Sequence, residues 1–125
     1  MKEQSFMTIN QAQIWMVDFE PSVGSEIQKL RPAIVVSSDS VGRFGLKIVV
    51  PLTEWKEYYA DFPWIIKLLP SEKNGLSKIS SIECFQIKSF ATERFVQKIG
   101  EIDAEILFKI HTTIAKTFNP KYKLL

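Results

Sequence analysis

The sequence predicts a mainly β fold, a small β-barrel with one helix at its C-terminal end. About six short runs rich in branched and aromatic residues alternate with Gly, Pro and polar turns, which is typical of strands. Only one stretch, beginning at Asp103, has sustained helical periodicity. Short strands followed by a single helix favour a small barrel with the helix packed on it. At 125 residues the chain is long enough for one core, so we expect a single domain over residues 1–125.

The first part of the chain contains three predicted strands. Residues 1–12 are mostly polar, and we expect them to be loosely held. Residues 14–19 form the first strand, and residues 33–37 are apolar on both faces, which predicts a buried second strand. Residues 46–52 form the third, where Pro51 favours an edge position or the end of the strand.

The second part is less regular. Residues 53–62 carry aromatic side chains among charged ones, which fits either a turn of helix or an irregular aromatic loop. Further strands are predicted at residues 63–69, 79–90 and 96–102. Neither face of residues 79–90 is purely apolar, so a bend or bulge is expected there.

The helix is predicted over residues 103–118. Asp103 is a favourable N-cap, and Glu105 suits the positive end of a helix. Asn119 and Pro120 end the pattern. The expected buried stripe consists of Ile106, Leu107, Ile110, Ile114 and Phe118.

The composition excludes several classes of protein. The net charge of +2 is too small to indicate a nucleic-acid binder by itself. Cys84 is the single cysteine, so no intrachain disulfide can form, which fits a reducing cytoplasm. Its apolar neighbours predict a buried structural thiol. The N-terminal residues lack the apolar core of a signal peptide, and no apolar run reaches the length of a membrane span. We therefore expect a cytoplasmic protein.

No metal or cofactor site is predicted. His111 is the single histidine and is expected to be a surface or partly buried helix residue. One His and one Cys would need distant, unsupported partners to form a metal site or a Cys–His dyad. A phosphate-binding loop of the Gly-Lys-Ser/Thr kind is absent from the sequence.

Arg31 is the strongest candidate for anion binding. Pro32 pushes the residue before it into an extended conformation, so Arg31 is held at the mouth of a strand beside a polar loop that carries Glu26. A guanidinium can hold a planar anion by two parallel hydrogen bonds. The alternative is a surface ion pair between Arg31 and Glu26.

A second candidate combines basic and aromatic side chains. Arg43 and Phe44 lie between two glycines, and Trp55, Tyr58 and Tyr59 follow the next strand. Such groups can stack unpaired bases while a cation holds the nucleic-acid backbone. The alternative is that the aromatic residues belong to the core or to a dimer interface.

Three blocks of the sequence resemble the MazF/PemK toxins, small endoribonucleases of type II toxin–antitoxin systems. Residues 14–21, Gly24-Ser25-Glu26 and residues 31–37 resemble the N-terminal signature of the family. Residues 49–53 resemble its third strand with its threonine, and residues 75–94 its second signature. The blocks follow one another in the family's order, and the match spans most of the chain, roughly from Ile14 to Ile102.

The resemblance implies an SH3-like barrel of the MazF/PemK/CcdB type that forms a homodimer. It also implies a metal-independent, sequence-selective endoribonuclease that cleaves single-stranded RNA through attack by the 2′-hydroxyl. The partner would be an antitoxin with an acidic, partly disordered segment. Arg31 and Thr53 match the catalytic Arg and Thr of the family, and Glu26 is the candidate base. Further RNA contacts are expected from Ser37, Ser80, Gln86 and Lys88.

The second signature also departs from the family pattern. Some members carry an acidic residue immediately before the Gln and an Arg two residues earlier, where this chain has Phe85 and Glu83. Ile27 replaces a Gln that is common after Gly-Ser-Glu. Two alternatives therefore stay open: a non-catalytic barrel that inhibits a protein target, as gyrase poisons of this fold do, and a barrel that binds RNA without cleaving it.

Overall fold

The computed structural model describes residues 8–41 and 45–119, and in them strands dominate and one α-helix lies at the C-terminal end. The strands are β1 (Gln13–Asp18), β2 (Leu30–Val35), β3 (Leu46–Glu54), β4 (Ile65–Leu68), β5 (Ser80–Glu83), β6 (Lys88–Ala91) and β7 (Phe95–Glu101). The helix α1 is Ala104–Thr117, and short 3-10 turns lie at Glu57–Asp61 and Thr92–Arg94. The predicted fold class is confirmed.

The strands form one antiparallel sheet that is organised around β3. The order is β4-β5-β3-β2-β1-β7, and β6 pairs with the first half of β3. On the side away from β2, β3 therefore has two partners in succession: β6 along Leu46–Val49 and β5 along Leu52–Glu54. Pro51 lies between these two pairings, in a central strand, so the expected edge position is wrong. A residue without an N–H is tolerated where the strand changes partner.

The sheet has a core on each face. Ile14, Ile34 and Leu52 belong to the cluster that also contains Ile110 of the helix. Their strand neighbours Trp15, Ala33 and Val35 belong to a second cluster with Phe95. Because successive side chains of a strand point to opposite faces, the central strands are buried on both sides. The buried second strand, which was predicted over residues 33–37, is thereby confirmed, although β2 begins earlier, at Leu30.

The helix begins where the sequence predicts it, but the predicted stripe of buried side chains does not extend to its C-terminal end. Asp103 Oδ1 accepts a hydrogen bond from the Ile106 N–H at 2.9 Å, and Ile110 is fully buried. Phe118 is 71% exposed, so its place in the stripe was predicted wrongly. A step of four residues overshoots a full turn by about 40°, so three such steps carry Phe118 about 120° away from Ile106.

Two other segments differ from expectation. The predicted strand over residues 79–90 is split into β5 and β6 by a turn, in which the Gln86 N–H donates to the Glu83 carbonyl at 3.1 Å. The segment 9–12 is held by the sheet: Ile9 is buried, and the Ala12 N–H donates to the Val35 carbonyl at 2.8 Å. Residues 1–7 lie outside the described residues. In the described part of the chain, no helix is long and apolar enough to cross a membrane.

Candidate active site

A cleft of about 250 Å³ lies where β2 begins and β3 ends. Ala33 pairs with Pro51, and continuing that antiparallel register by two residues brings Arg31 opposite Thr53. Both residues line the cleft, together with Lys78 and Ser80 from the segment before β5. The sheet register thus brings together the Arg and the Thr that the sequence analysis singled out.

Arg31 presents most of its guanidinium to solvent. The side chain is exposed, and its Nε donates to the Gln28 carbonyl at 3.2 Å. Within residues 8–41 and 45–119, its two terminal nitrogens make no hydrogen bond to protein. They are therefore available for an anion that enters the cleft. The alternative of an Arg31–Glu26 ion pair is wrong, because Glu26 pairs with Lys88 instead.

Thr53 is anchored by a polar cluster on β5. Its hydroxyl donates to Glu83 Oε2 at 3.0 Å and lies 2.5 Å from the Ser81 hydroxyl. The Ser81 hydroxyl also donates to the Thr53 carbonyl at 3.2 Å. Ser81 is fully buried and Glu83 is 8% exposed. The hydroxyl of Thr53 is thus held in a fixed orientation at the edge of the cleft.

The aromatic segment after β3 covers this cluster. Tyr59 packs edge-on against Trp55, with ring centroids 5.9 Å apart, and both are partly buried. Burial raises the pKa of the Tyr59 hydroxyl, and the negative charge of Glu83 adds to the effect. Tyr58 is 60% exposed. The packing alternative therefore holds for Trp55 and Tyr59, whereas Tyr58 presents its ring to solvent.

Glu26, Gln86 and Lys88 form a separate group that fastens the loop between β1 and β2. Glu26 Oε2 lies 3.0 Å from Lys88 Nζ, and Gln86 Oε1 accepts from the Ile27 N–H at 3.0 Å. A hydrogen bond from the Val23 N–H lowers the pKa of Glu26, and Lys88 lowers it further. A carboxylate stabilised in its charged form is a weaker base, so this geometry disfavours Glu26 as the base.

Of the other sequence candidates that the structure describes, Ser80 lines the cleft and Ser37 does not. Ser37 is buried, and its hydroxyl accepts from the Ile48 N–H at 3.1 Å. Ser80 lines the cleft, but its hydroxyl donates to the Lys78 carbonyl at 3.1 Å. Arg43 and Phe44 lie outside the described residues.

Cys84 and His111 are the single cysteine and the single histidine of the chain. Cys84 is buried as expected, and burial followed by the charge of Glu83 raises its pKa to about 12. His111 is exposed on α1, with its ring Nε2 2.9 Å from the Val36 carbonyl oxygen. In the described part of the chain, no three His, Cys, Asp or Glu side chains are grouped so that they could hold a metal ion.

The matching family model is that of the PemK-like, MazF-like toxins of type II toxin–antitoxin systems, and it covers residues 10–118. This chain belongs to that family. The MazF-like chain is 35% identical over 109 residues to "Endoribonuclease MazF9" of Mycobacterium tuberculosis, which covers 82% of this chain and 89% of the relative. It is 26% identical over 104 residues to "Endoribonuclease EndoA" of Bacillus subtilis, which covers 83% and 89%, respectively.

Solved structures share the fold of this MazF-like chain. MazF of Deinococcus radiodurans superposes with a TM-score of 0.75 at 21% identity, covering 91% of this chain and 99% of the other. A mycobacterial endoribonuclease solved with its cognate antitoxin superposes with a TM-score of 0.71 at 17% identity, covering 93% and 100%. The predicted MazF-type barrel is thereby confirmed.

Sequence reasoning missed part of the site of this MazF-like protein. Lys78 lines the cleft, yet nothing in its local sequence sets it apart from the other lysines. Ser81 and Glu83 alternate with the buried Ile82 and Cys84, a pattern that puts the two polar side chains on one face of a strand. Their contact with Thr53 depends on the pairing of β3 with β5, which the sequence alone does not define.

Proposed function

We propose that this MazF-like protein is a metal-independent endoribonuclease that cleaves single-stranded RNA by attack of the 2′-hydroxyl on the adjacent phosphate. The observation that carries the proposal is the meeting of Arg31 and Thr53 at one cleft, where the terminal guanidinium nitrogens make no hydrogen bond to any of the residues that the structure describes. Cleavage of this type needs stabilisation of the developing phosphorane charge and control of protons at the attacking and leaving oxygens.

Arg31 suits the first of these needs. Two nitrogens of a guanidinium can hold two phosphate oxygens in one plane. Lys78, in the same cleft, adds a second cation that can attract the RNA backbone. Thr53, across the cleft, fixes the position of the reacting groups through its hydroxyl.

The remaining parts of the proposal follow from family membership. The protein is proposed to act as a sequence-selective toxin on messenger RNA in the cytoplasm, to form a homodimer and to be neutralised by a cognate antitoxin. The named relatives are endoribonucleases, and one of the similar structures is an endoribonuclease in complex with its cognate antitoxin. Gln86, Lys88 and the loop that they fasten are proposed to support RNA contacts beside the cleft.

The test is incubation of the purified protein with an RNA of mixed sequence in EDTA, followed by analysis of the new ends. We expect cleavage in single-stranded regions, with 2′,3′-cyclic phosphate on one product and a free 5′-hydroxyl on the other. Double-stranded RNA of the same composition serves as the control and should stay intact. Absence of cleavage would contradict the proposal and favour a non-catalytic barrel that inhibits a protein target.

A further inference from the structure

The cleft face of β3 and β5 carries a carboxylate whose place follows from strand register. Thr53 pairs with Ser81, and Glu83 lies two residues further along β5, on the same face as Ser81. The alternate residues Leu52 and Ile82 point to the opposite face and belong to the hydrophobic core. A buried polar patch formed by Thr53, Ser81 and Glu83 therefore lies next to the cleft, on the side away from the helix.

The hydrogen bonds in this patch determine where the Thr53 proton lies. A hydroxyl has one proton and two lone pairs, whereas an ionised carboxylate only accepts. In the 3.0 Å contact between Thr53 Oγ1 and Glu83 Oε2, Thr53 must therefore be the donor. The 2.5 Å contact with Ser81 can use one lone pair of Thr53 at most. With its proton directed to Glu83, the Thr53 hydroxyl has none to donate to a phosphate oxygen and can only accept. Its lone pairs face the Ser81 hydroxyl, whose single proton is also within reach of the Thr53 carbonyl, and the Tyr59 side chain, which forms a further hydrogen bond with Thr53. A 2′-hydroxyl in the cleft would donate to Thr53 in place of one of these neighbours.

We propose that Glu83 is a positioning residue that holds the Thr53 hydroxyl as the acceptor of the 2′-hydroxyl proton and takes up the relayed proton itself. This inference rests on the proposed function and deepens it. As the 2′ oxygen bonds to phosphorus, its proton passes to Thr53 Oγ1, and the proton of Thr53 passes to Glu83 Oε2. The bond from phosphorus to the 5′ oxygen breaks, and that oxygen takes a proton from solvent. Glu83 then returns its proton to solvent.

The contacts of Glu83 differ from those of Glu26. Within residues 8–41 and 45–119 it forms no ion pair, in contrast to Glu26, which is bound by Lys88. The 3-10 turn contributes Tyr59, and Cys84 follows on the same strand; the charge of Glu83 raises the pKa of both. Among the described residues, the Glu83 carboxylate is thus bound by the Thr53 hydroxyl and by no ammonium or guanidinium group, whereas the Glu26 carboxylate is bound by Lys88.

The neighbouring strands complete these surroundings. On β4, Ile65 lies opposite Glu83 and Lys67 lies opposite Ser81, with the Lys67 ammonium 5.1 Å from the centre of the Trp55 ring. On β3, Glu54 follows Thr53, is exposed and lines the cleft, whereas Lys47 lies at the other end of the strand, opposite Phe90 of β6.

The experiment measures single-turnover cleavage of an unstructured RNA oligonucleotide by the full chain as a function of pH. Glu83→Gln keeps the shape and an accepting oxygen for Thr53 but cannot take up a proton. We expect a loss of about a hundredfold at neutral pH, the scale of general base catalysis. We expect the wild-type cleavage rate to rise with pH over one limb of the profile, and this limb should disappear in Glu83→Gln. Binding of uncleavable 2′-deoxy RNA should stay unchanged. Glu105→Gln, an exposed Glu-to-Gln change on α1, is the matched control and should behave as wild type.

A second pair of variants covers the case in which Glu83→Gln does not fold. Thr53→Val should abolish the same limb, Thr53→Ser should retain it, and the losses in a Thr53→Val, Glu83→Gln double variant should not add. If Glu83→Gln cuts with the wild-type pH profile, or if Thr53→Val retains the limb, the inference is overturned. If the wild-type protein cuts no RNA, the proposed function itself fails, and this outcome is distinct from the other two.

Discussion

Glu26 and Lys88 show how one ion pair fixes a loop beside the cleft. Their charged atoms lie 3.0 Å apart, and the Val23 N–H donates to the other carboxylate oxygen at 2.8 Å. The ion pair joins the loop between β1 and β2 to β6, and the hydrogen bond joins two residues within that loop. Because Glu26 is exposed, its ion pair is screened by water and contributes little to global stability.

The lowered pKa of Glu26 predicts the pH range in which this loop contact is stabilising. The ordinary value is 4.5, and the folded value lies below it. The stabilisation is therefore complete above pH 4.5 and is lost as the pH falls through the lower folded value. We expect the urea midpoint of Glu26→Gln to lie slightly below that of wild type at neutral pH and to match it in strong acid. Glu72→Gln, another exposed carboxylate, should show no such convergence; a Glu26→Gln deficit that persists in acid would contradict the assignment.

Cys84 is expected to be unreactive in the folded protein. It is fully buried, and its pKa is raised to about 12, so the thiolate that reacts with alkylating agents is scarce at pH 8. Iodoacetamide should modify Cys84 only under denaturing conditions, as measured by intact mass. Rapid modification of the native protein would contradict the burial of this side chain.

At the scale of the elements, α1 covers one face of the sheet through Ile110. This side chain is fully buried, whereas the adjacent Lys109 is exposed. Ile110→Asp should destabilise the fold by about 3 kcal/mol or more, because a charge enters an apolar core. Lys109→Asp, the matched control, should cost less than about 1 kcal/mol. Denaturant unfolding measures both, and similar midpoints for the two variants would contradict the packing of α1.

β3 shows which parts of the architecture the sequence predicts. The sequence alone predicts the apolar run of β3, the Thr near its end and the junction at Arg31-Pro32. It does not predict the change of partner from β6 to β5, because that change depends on pairings between residues far apart in the chain. The same limit applies to Glu83: its alternation in β5 predicts a face, but only the register of β3 with β5 places it against Thr53.

At the scale of the whole molecule, exposed aromatic side chains favour self-association. Phe85, Phe108 and Phe118 are each at least two-thirds exposed. Trp64 and Phe85 also line a cavity of about 340 Å³ next to the end of α1. Large exposed apolar patches often mark interfaces. We therefore expect sedimentation at micromolar concentration to give twice the 14.4 kDa chain mass, and a pure 14.4 kDa species would contradict a homodimer.

The central claim is that Arg31 stabilises the transition state of RNA cleavage, and the rate of Arg31→Ala under metal-free, single-turnover conditions tests it most directly. We expect cleavage to slow by about a hundredfold or more, as when one electrostatic donor to a transition state is removed. Arg31→Lys should recover only part of the rate, because an ammonium cannot bind two oxygens in one plane. Binding of uncut RNA should weaken much less, and the melting temperature should stay unchanged. Cleavage by Arg31→Ala at the wild-type rate would contradict the claim.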